Sequence, residues 1–174
     1  MLHEPVLVLD ATAFIGLDFP KLLSTSGSFF TTRGVASELK DSRSKMNLDV
    51  LKYSDRLRFS APQDKLIEEV KKRIHLIDQQ TPLSQVDIEV LALALQVNGT
   101  LVSNDLSLQN AALHLNIPIK VISGKKITHL RKWQLKCNSC SKVITDDVEV
   151  CPFCGGTLNR VLIETTKINS NLIG

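Results

Sequence analysis

Four acidic residues and four cysteines are the side chains in this sequence best suited to holding metal ions. Asp10 ends the apolar run Val6-Leu7-Val8-Leu9, and Asp105 follows the similar run Leu101-Val102-Ser103. Glu38 and Asp87 fall where helices are expected to start. Carboxylates at the C-terminal ends of parallel strands lie where open α/β sheets bind their ligands. Four of them gathered at one edge repel each other unless divalent cations are present, and hard oxygen ligands suit Mg²⁺ or Mn²⁺. Such ions activate water and stabilise the leaving oxygen in phosphodiester hydrolysis.

Each acid also has a purely local reading. Asp10 can cap a helix starting at Ala11, and Asp105 one starting at Leu106. Ser84-Gln85-Val86-Asp87 reads as a capping box with Asp in the place of Glu. Glu38 can be a solvated helix residue. Thr12 can hold a ligand carboxylate or bond within its own turn. Glu89, two positions from Asp87, points elsewhere on its helix. The four histidines, His3, His75, His114 and His129, show no metal spacing and receive no role.

The cysteines form two C-x-x-C pairs, Cys137/Cys140 and Cys151/Cys154, ten residues apart. Two such knuckles complete a tetrahedral thiolate site for Zn²⁺. Gly155 and Gly156 follow the second pair, where a positive φ helps the backbone turn towards sulfur. Disulfides do not fit a chain without a secretory signal, and two pairs in so few residues favour metal over redox chemistry. Four thiolates leave no open position, so the zinc site is expected to be structural.

Hydrophobic patterning supplies the frame for these side chains. Short apolar strands are expected at 5–10, 28–32, 57–60, 100–103 and 119–122. Helices are expected at 11–17, broken by Asp18-Phe19-Pro20, and from Thr32 through Val35, Leu39 and Met46 towards Tyr53. Further helices are expected at 63–78, from Ser84 to an αL stop at Asn98-Gly99, and at 106–116. Strands alternating with helices over short connections predict an α/β fold, a parallel sheet in a right-handed sandwich. Ser123-Gly124-Lys125-Lys126 marks a linker, and the residues beyond it are too few for a large core. There is no leader-like segment and no apolar run of membrane-spanning length, so the expectation is a soluble cytoplasmic protein without a membrane partner.

Charge is unevenly distributed. The formal net charge is +3, yet residues 106–145 carry no Asp or Glu and seven basic residues. The remainder holds 14 Lys and Arg against 18 Asp and Glu. An acidic centre beside a basic surface suits cations on one side and a polyanion on the other. Lys125, Lys126, Arg131, Lys132, Lys136 and Lys142, with the single tryptophan Trp133, are the candidate contacts to single-stranded RNA. Trp133 either stacks a base or packs the cysteine module against the main domain. Arg160 is a further candidate phosphate contact. There is no G-x-x-x-x-G-K-[ST] loop for a nucleotide, and Asp10-Ala11-Thr12 lacks the second Asp of a haloacid-dehalogenase phosphatase.

Val8-Leu9-Asp10-Ala11-Thr12, Val35-Ala36-Ser37-Glu38-Leu39, the run from Leu83 through Asp87 to Ala94, and Val102-Ser103-Asn104-Asp105 resemble the successive motifs of PIN-domain nucleases over residues 5–122. With a four-cysteine ribbon behind them, they resemble the compact archaeal form of the Nob family, endonucleases that mature the 3′ end of small-subunit rRNA. The resemblance implies Asp10, Glu38, Asp87 and Asp105 as catalytic metal ligands, with Ser103 orienting the site. It implies precursor rRNA as substrate, and ribosome assembly factors as possible partners. Nob-type sequences often have Thr-Asp-Asp where this chain has Ser103-Asn104-Asp105, which lowers the local negative charge. The expected division is a PIN domain over 1–122, a basic linker over 123–133, a zinc ribbon over 134–163 and a tail over 164–174. The alternatives are a toxin-type PIN ribonuclease acting on tRNA or mRNA, and a non-catalytic RNA-binding assembly factor.

Overall fold

A computed structural model describes residues 4–15, 19–146 and 148–168. Five strands, β1 (Val6–Leu9), β2 (Ser28–Thr31), β3 (Leu57–Phe59), β4 (Thr100–Val102) and β5 (Ile119–Lys120), form one sheet in the order β3-β2-β1-β4-β5. Every pairing is parallel. The chain therefore leaves β1 in one direction to build β2 and β3, and later returns on the other side of β1 to build β4 and β5. The crevice at the C-terminal ends of β1 and β4 is the switch point where such sheets bind ligands.

Helices α1 (Phe19–Ser24), α2 (Arg33–Glu38), α3 (Ser42–Tyr53), α4 (Asp64–Ile77), α5 (Gln85–Gln96) and α6 (Leu106–His114) complete the sandwich. Leu7, Val8, Leu9, Phe29, Leu101 and Val102 fill the sheet side of the core. In helix α5, Ile88 and Val90 through Ala94 are all buried. It is enclosed between α4 and strands β1 and β4, so few of its faces meet water. As expected, it opens with the Ser84–Asp87 capping box and ends at Asn98, with φ 48°.

Three local expectations change. Only Ala11–Ala13 turns after β1, as a short 3-10 segment, and the rest of the expected 11–17 helix reaches positions 16–18, outside the described residues. Phe19-Pro20 starts a helix rather than breaking one, because proline is tolerated in a first turn whose N–H groups have no helical acceptor. The long helix expected from Thr32 is two helices. Thr32 caps α2, and Asp41 caps α3 by accepting Ser44 N–H at 2.9 Å. The break rotates the buried face of α3 onto Ser44, Asn47, Leu48 and Leu51, leaving Met46 exposed.

Beyond β5 the chain forms a second, antiparallel sheet of β6 (His129–Cys137), β7 (Val143–Ile144) and β8 (Leu158–Lys167), in the order β7-β6-β8. Positions 133/134 and 163/164, where the linker and tail were expected to meet the ribbon, fall inside β6 and β8. The hairpin is docked on the main domain. Leu130 and Ile168 pack on the large core, and Gln79 Oε1 accepts Leu135 N–H at 3.0 Å. Asn110 accepts Arg131 N–H at 2.8 Å and donates to the Arg131 carbonyl at 2.9 Å. No helix among the described residues is long and apolar enough to cross a membrane.

Candidate active site

The end of β1 delivers Asp10 to the switch point, 4 % exposed. Its Oδ1 accepts Ala11 N–H at 2.6 Å, and its Oδ2 accepts the Thr12 hydroxyl at 2.8 Å and the Ser103 hydroxyl at 2.9 Å. Burial pushes the Asp10 carboxyl above its ordinary value; the Thr12 and Ser103 hydrogen bonds and Ala11 N–H pull against that, and the charge of Asp87 adds to it. Thr12 therefore does both things proposed for it: it bonds within its own turn, and its acceptor is the candidate ligand. Thr12 Oγ1 also receives Asn104 N–H at 2.9 Å, which ties β1 to β4.

Glu38 is the last residue of α2, not part of its first turn. Its carboxyl is also pushed up, by burial first and then by the charges of Asp87 and Asp10, with Lys40 opposing. That mutual influence puts Asp10, Glu38 and Asp87 in one electrostatic neighbourhood although they are far apart in sequence. Close packing of α2 on α5 brings this about: a Cβ on Gly34 would lie 3.0 Å from a methyl of Val86.

Asp87 and Asp105 both cap helices, as their local readings anticipated. Asp87 Oδ2 accepts Ser84 N–H at 2.7 Å. Asp105 Oδ1 accepts Ser107 N–H at 2.6 Å and Leu108 N–H at 3.0 Å. Each cap occupies one oxygen, and no described donor reaches Asp87 Oδ1 or Asp105 Oδ2. Capping and ligation therefore do not compete for the same atom. Asp105 joins the others through Ser103, whose hydroxyl accepts Asp105 N–H at 3.0 Å while donating to Asp10.

Among the described residues none of the four acids forms a salt bridge, the described pairs being Lys52–Asp49, Lys71–Glu68, Arg73–Glu69 and Arg160–Asp78. No three of the acids bring oxygens within 4.8 Å of one another, whereas the four cysteines do. Direct ligation of one ion by all four acids would need closer oxygens. Mg²⁺, at about 2.1 Å from its ligands, commonly uses one or two carboxylates and keeps several waters. Asn104 points away from the acids: its Oδ1 accepts Ser123 N–H at 3.1 Å, so the amide ties the β4 turn to the chain beyond β5.

The cysteine cluster sits at the far end of the β6–β8 hairpin. Sγ atoms of Cys137 and Cys154 are 3.5 Å apart, and those of Cys140 and Cys151 are 3.7 Å apart. A tetrahedral Zn²⁺ with bonds of about 2.3 Å sets sulfur–sulfur distances near 3.8 Å, so the cage has the right size. Gly155 has φ 70°, as its position anticipated, and a Cβ on Gly156 would lie 3.0 Å from Cys137 Sγ. Backbone N–H of Cys140 lowers the Cys137 thiol to about 6, with Ser139 N–H helping against some burial. Gly156 N–H favours the Cys154 thiolate, but the neighbouring sulfurs of Cys137 and Cys140 outweigh it and hold Cys154 at about 12.

The expected basic surface divides into separate places. Lys125, Lys126, Arg131 and Trp133 line one groove, while Lys132 lines another beside Glu164. Lys136 and Lys142 lie exposed near the cysteine cluster, with Lys142 Nζ 3.8 Å from the Phe153 ring. Arg160, expected on phosphate, is engaged elsewhere. It donates to both Asp78 oxygens, at 2.9 and 2.6 Å, and lies 3.9 Å over the Trp133 ring. Its partner is 82 residues away in sequence, beyond the reach of any local pattern. His114, given no role, meets the Arg131 carbonyl at 3.0 Å.

Known proteins resemble this chain in sequence. The family described as "PIN domain of ribonuclease" matches residues 7–97. The chain is 31 % identical over 155 residues to "Ribonuclease VapC1" of Thermoplasma acidophilum, covering 89 % of this chain and 77 % of that one. It is 30 % identical over 164 residues to "Endoribonuclease Nob1" of Pyrococcus abyssi, covering 92 % of this chain and 96 % of that one. The "20S-pre-rRNA D-site endonuclease NOB1" of Saccharomyces cerevisiae is 29 % identical over 103 residues, 59 % of this chain and 22 % of that one.

Proposed function

The chain belongs to the PIN-domain ribonuclease family, and from that premise we propose that it is a Mg²⁺- or Mn²⁺-dependent endoribonuclease acting at the 3′ end of small-subunit rRNA in single-stranded precursor rRNA. The observation carrying this reading is the placement of Asp10 and Asp105 on either side of the sheet's switch point, joined by Ser103, with Glu38 and Asp87 in the same field. The match to an archaeal Nob1 along 96 % of its length, ribbon included, supports the precursor-rRNA substrate.

A bound divalent ion supplies an activated water and neutralises charge developing on the leaving oxygen. Asp10, Glu38, Asp87 and Asp105 would hold it, Asp87 and Asp105 through the oxygen that helix capping leaves unoccupied. Ser103 and Thr12 fix the Asp10 carboxylate, so the site does not reorganise as charge develops. Attack of the water oxygen on phosphorus would break the P–O3′ bond, with one of the water's protons ending on O3′, leaving a 3′-hydroxyl and a 5′-phosphate. Cys137, Cys140, Cys151 and Cys154 hold a structural Zn²⁺, and the basic groove, Lys136 and Lys142 take the RNA backbone.

The deciding experiment incubates the protein with RNA spanning a small-subunit 3′ junction, with Mn²⁺ or with chelator. One cut is expected with Mn²⁺, and none with chelator or in Asp10→Asn. Full-rate cleavage by Asp10→Asn would remove this site from the reaction. The similarity to VapC1 favours a second reading, a ribonuclease acting on other cellular RNA. Growth arrest on expression, reversed by a small co-encoded protein, would select it.

A further inference from the structure

A groove of about 290 Å³ lies between the start of α6, the end of α4 and the segment entering β6. Ile77 and Pro82 give it an apolar wall, Trp133 and Arg160 a stacked planar one, and Lys125 and Arg131 a cationic lip. We infer that this groove receives one unpaired nucleotide of the RNA, adjacent to the scissile phosphate, with its base inside and its phosphates against Lys125 and Arg131. The inference rests on the RNA-cleaving reading and adds to it a subsite beside the carboxylates.

The mixed lining selects the ligand. A bare phosphate would leave the apolar and aromatic surface unused, and an apolar ligand would leave the cations unused. A single nucleotide uses both, because unstacked bases seat on aromatic rings and guanidinium planes while their phosphates meet basic side chains. The one carboxylate in the lining, Asp78, is already neutralised by Arg160 and so does not repel the RNA.

Position connects the groove to the chemistry. Ser107 lines it, and the same residue's N–H is held by Asp105 Oδ1 at 2.6 Å. A base seated there lies at the start of the helix that Asp105 caps.

Rigidity makes the groove a preformed site. Gln109, fully buried, donates to the Ser103 carbonyl at 3.1 Å and accepts Ile127 N–H at 3.0 Å. Asn110 holds both backbone groups of Arg131, and the regular pairing of Trp133 with Leu162 and of Leu135 with Arg160 sets the indole diagonally across from Arg160. Walls fixed in this way lose little freedom when a ligand enters.

Trp133 is the only tryptophan, so its fluorescence reports on the groove directly. The probe is single-stranded RNA spanning a small-subunit 3′ junction, bound without added Mg²⁺ or Mn²⁺ so that nothing is cut. A matched series carries one abasic sugar at each position in turn. Intact RNA should change the emission saturably. One abasic position beside the junction should abolish that change and weaken binding roughly 5- to 150-fold, the contribution of one stacked base. A series in which every abasic RNA binds and alters fluorescence equally would overturn the groove assignment. Because only the RNA is varied, no outcome depends on a variant's folding. Adding Mn²⁺ separates the two readings. A single abasic-sensitive position without cleavage keeps the groove and rejects the nuclease, whereas cleavage with a flat series does the reverse.

Discussion

The Ser103 hydroxyl donates to Asp10 Oδ2 at 2.9 Å, across the gap between β4 and β1. Ser103 Oγ also accepts Asp105 N–H at 3.0 Å, so one buried hydroxyl sets the relative position of two acids 95 residues apart. Ser103→Ala strips Asp10 of one donor and leaves the Asp105 N–H without its acceptor. The expected loss is about 1–3 kcal/mol of stability, read by urea unfolding, together with slower cleavage at a given Mn²⁺ concentration.

Asp10→Asn should keep the fold but remove a ligand charge from the centre of the site. Interactions with the ion contribute several kcal/mol to the transition state, so the rate should drop on the order of a thousandfold. Single-turnover cleavage beside far-UV circular dichroism reads both halves of this expectation; loss of the fold, or a drop of less than tenfold, contradicts it.

Acidity and metal binding should be linked in a set direction. Folding raises the Asp10 and Glu38 carboxyls above their ordinary values of 3.8 and 4.5. Without metal, these groups contribute most to stability below those ordinary values, and that contribution is lost as pH rises through the raised folded-state values. Divalent cations bind the ionised forms, so the stabilisation by Mn²⁺ should grow with pH over the same window. Thermal unfolding with Mn²⁺ and with chelator, from about pH 4 to 8, measures the difference; a Mn²⁺ effect that shrinks with rising pH would contradict the assignment.

Zinc removal should act on one end of the molecule. The cluster's own core is small, with Leu135, Ile144 and the cysteines at its centre, so a strong chelator or Cys137→Ser should loosen the knuckles and β7. The five-stranded sheet should persist. Zinc affinity should rise with pH, since binding releases thiol protons and Cys154 holds its proton up to about 12. Hydrogen exchange that is uniformly faster across both sheets would show that the two units do not separate in this way.

Gln109→Leu should free the basic segment without touching the carboxylates. It leaves the Ser103 carbonyl and Ile127 N–H unpaired, at about 1–3 kcal/mol for each buried group. Exchange at the Ile127 amide should quicken and RNA should bind more weakly. Unchanged protection at Ile127 would mean that other contacts hold the segment.

Features set by a few neighbouring residues were readable from the chain alone. Strand alternation gave the parallel sheet, Ser84 with Asp87 gave a cap, Asn98 gave a left-handed stop, and two C-x-x-C pairs gave a metal cage. Each depends on dihedral preferences and hydrogen bonds within one turn, which sequence spacing encodes directly. Even the break that splits α2 from α3 leaves a local trace, because Asp41 sits three residues before the Ser44 N–H that it caps.

Partners brought together by folding left no such trace. Nothing near Arg160 announces Asp78, and nothing near Gln109 announces Ile127, because each pairing exists only once the hairpin has docked on α4 and α6. The spacing of the four acids belongs to the same class: chain order brings them to one rim, but the packing of α2 on α5 and the pairing of β1 with β4 set how far apart their oxygens stand. Contacts across many residues depend on how whole elements pack, and many side chains could satisfy a given surface, so they emerge from the assembled core rather than from any short stretch of it.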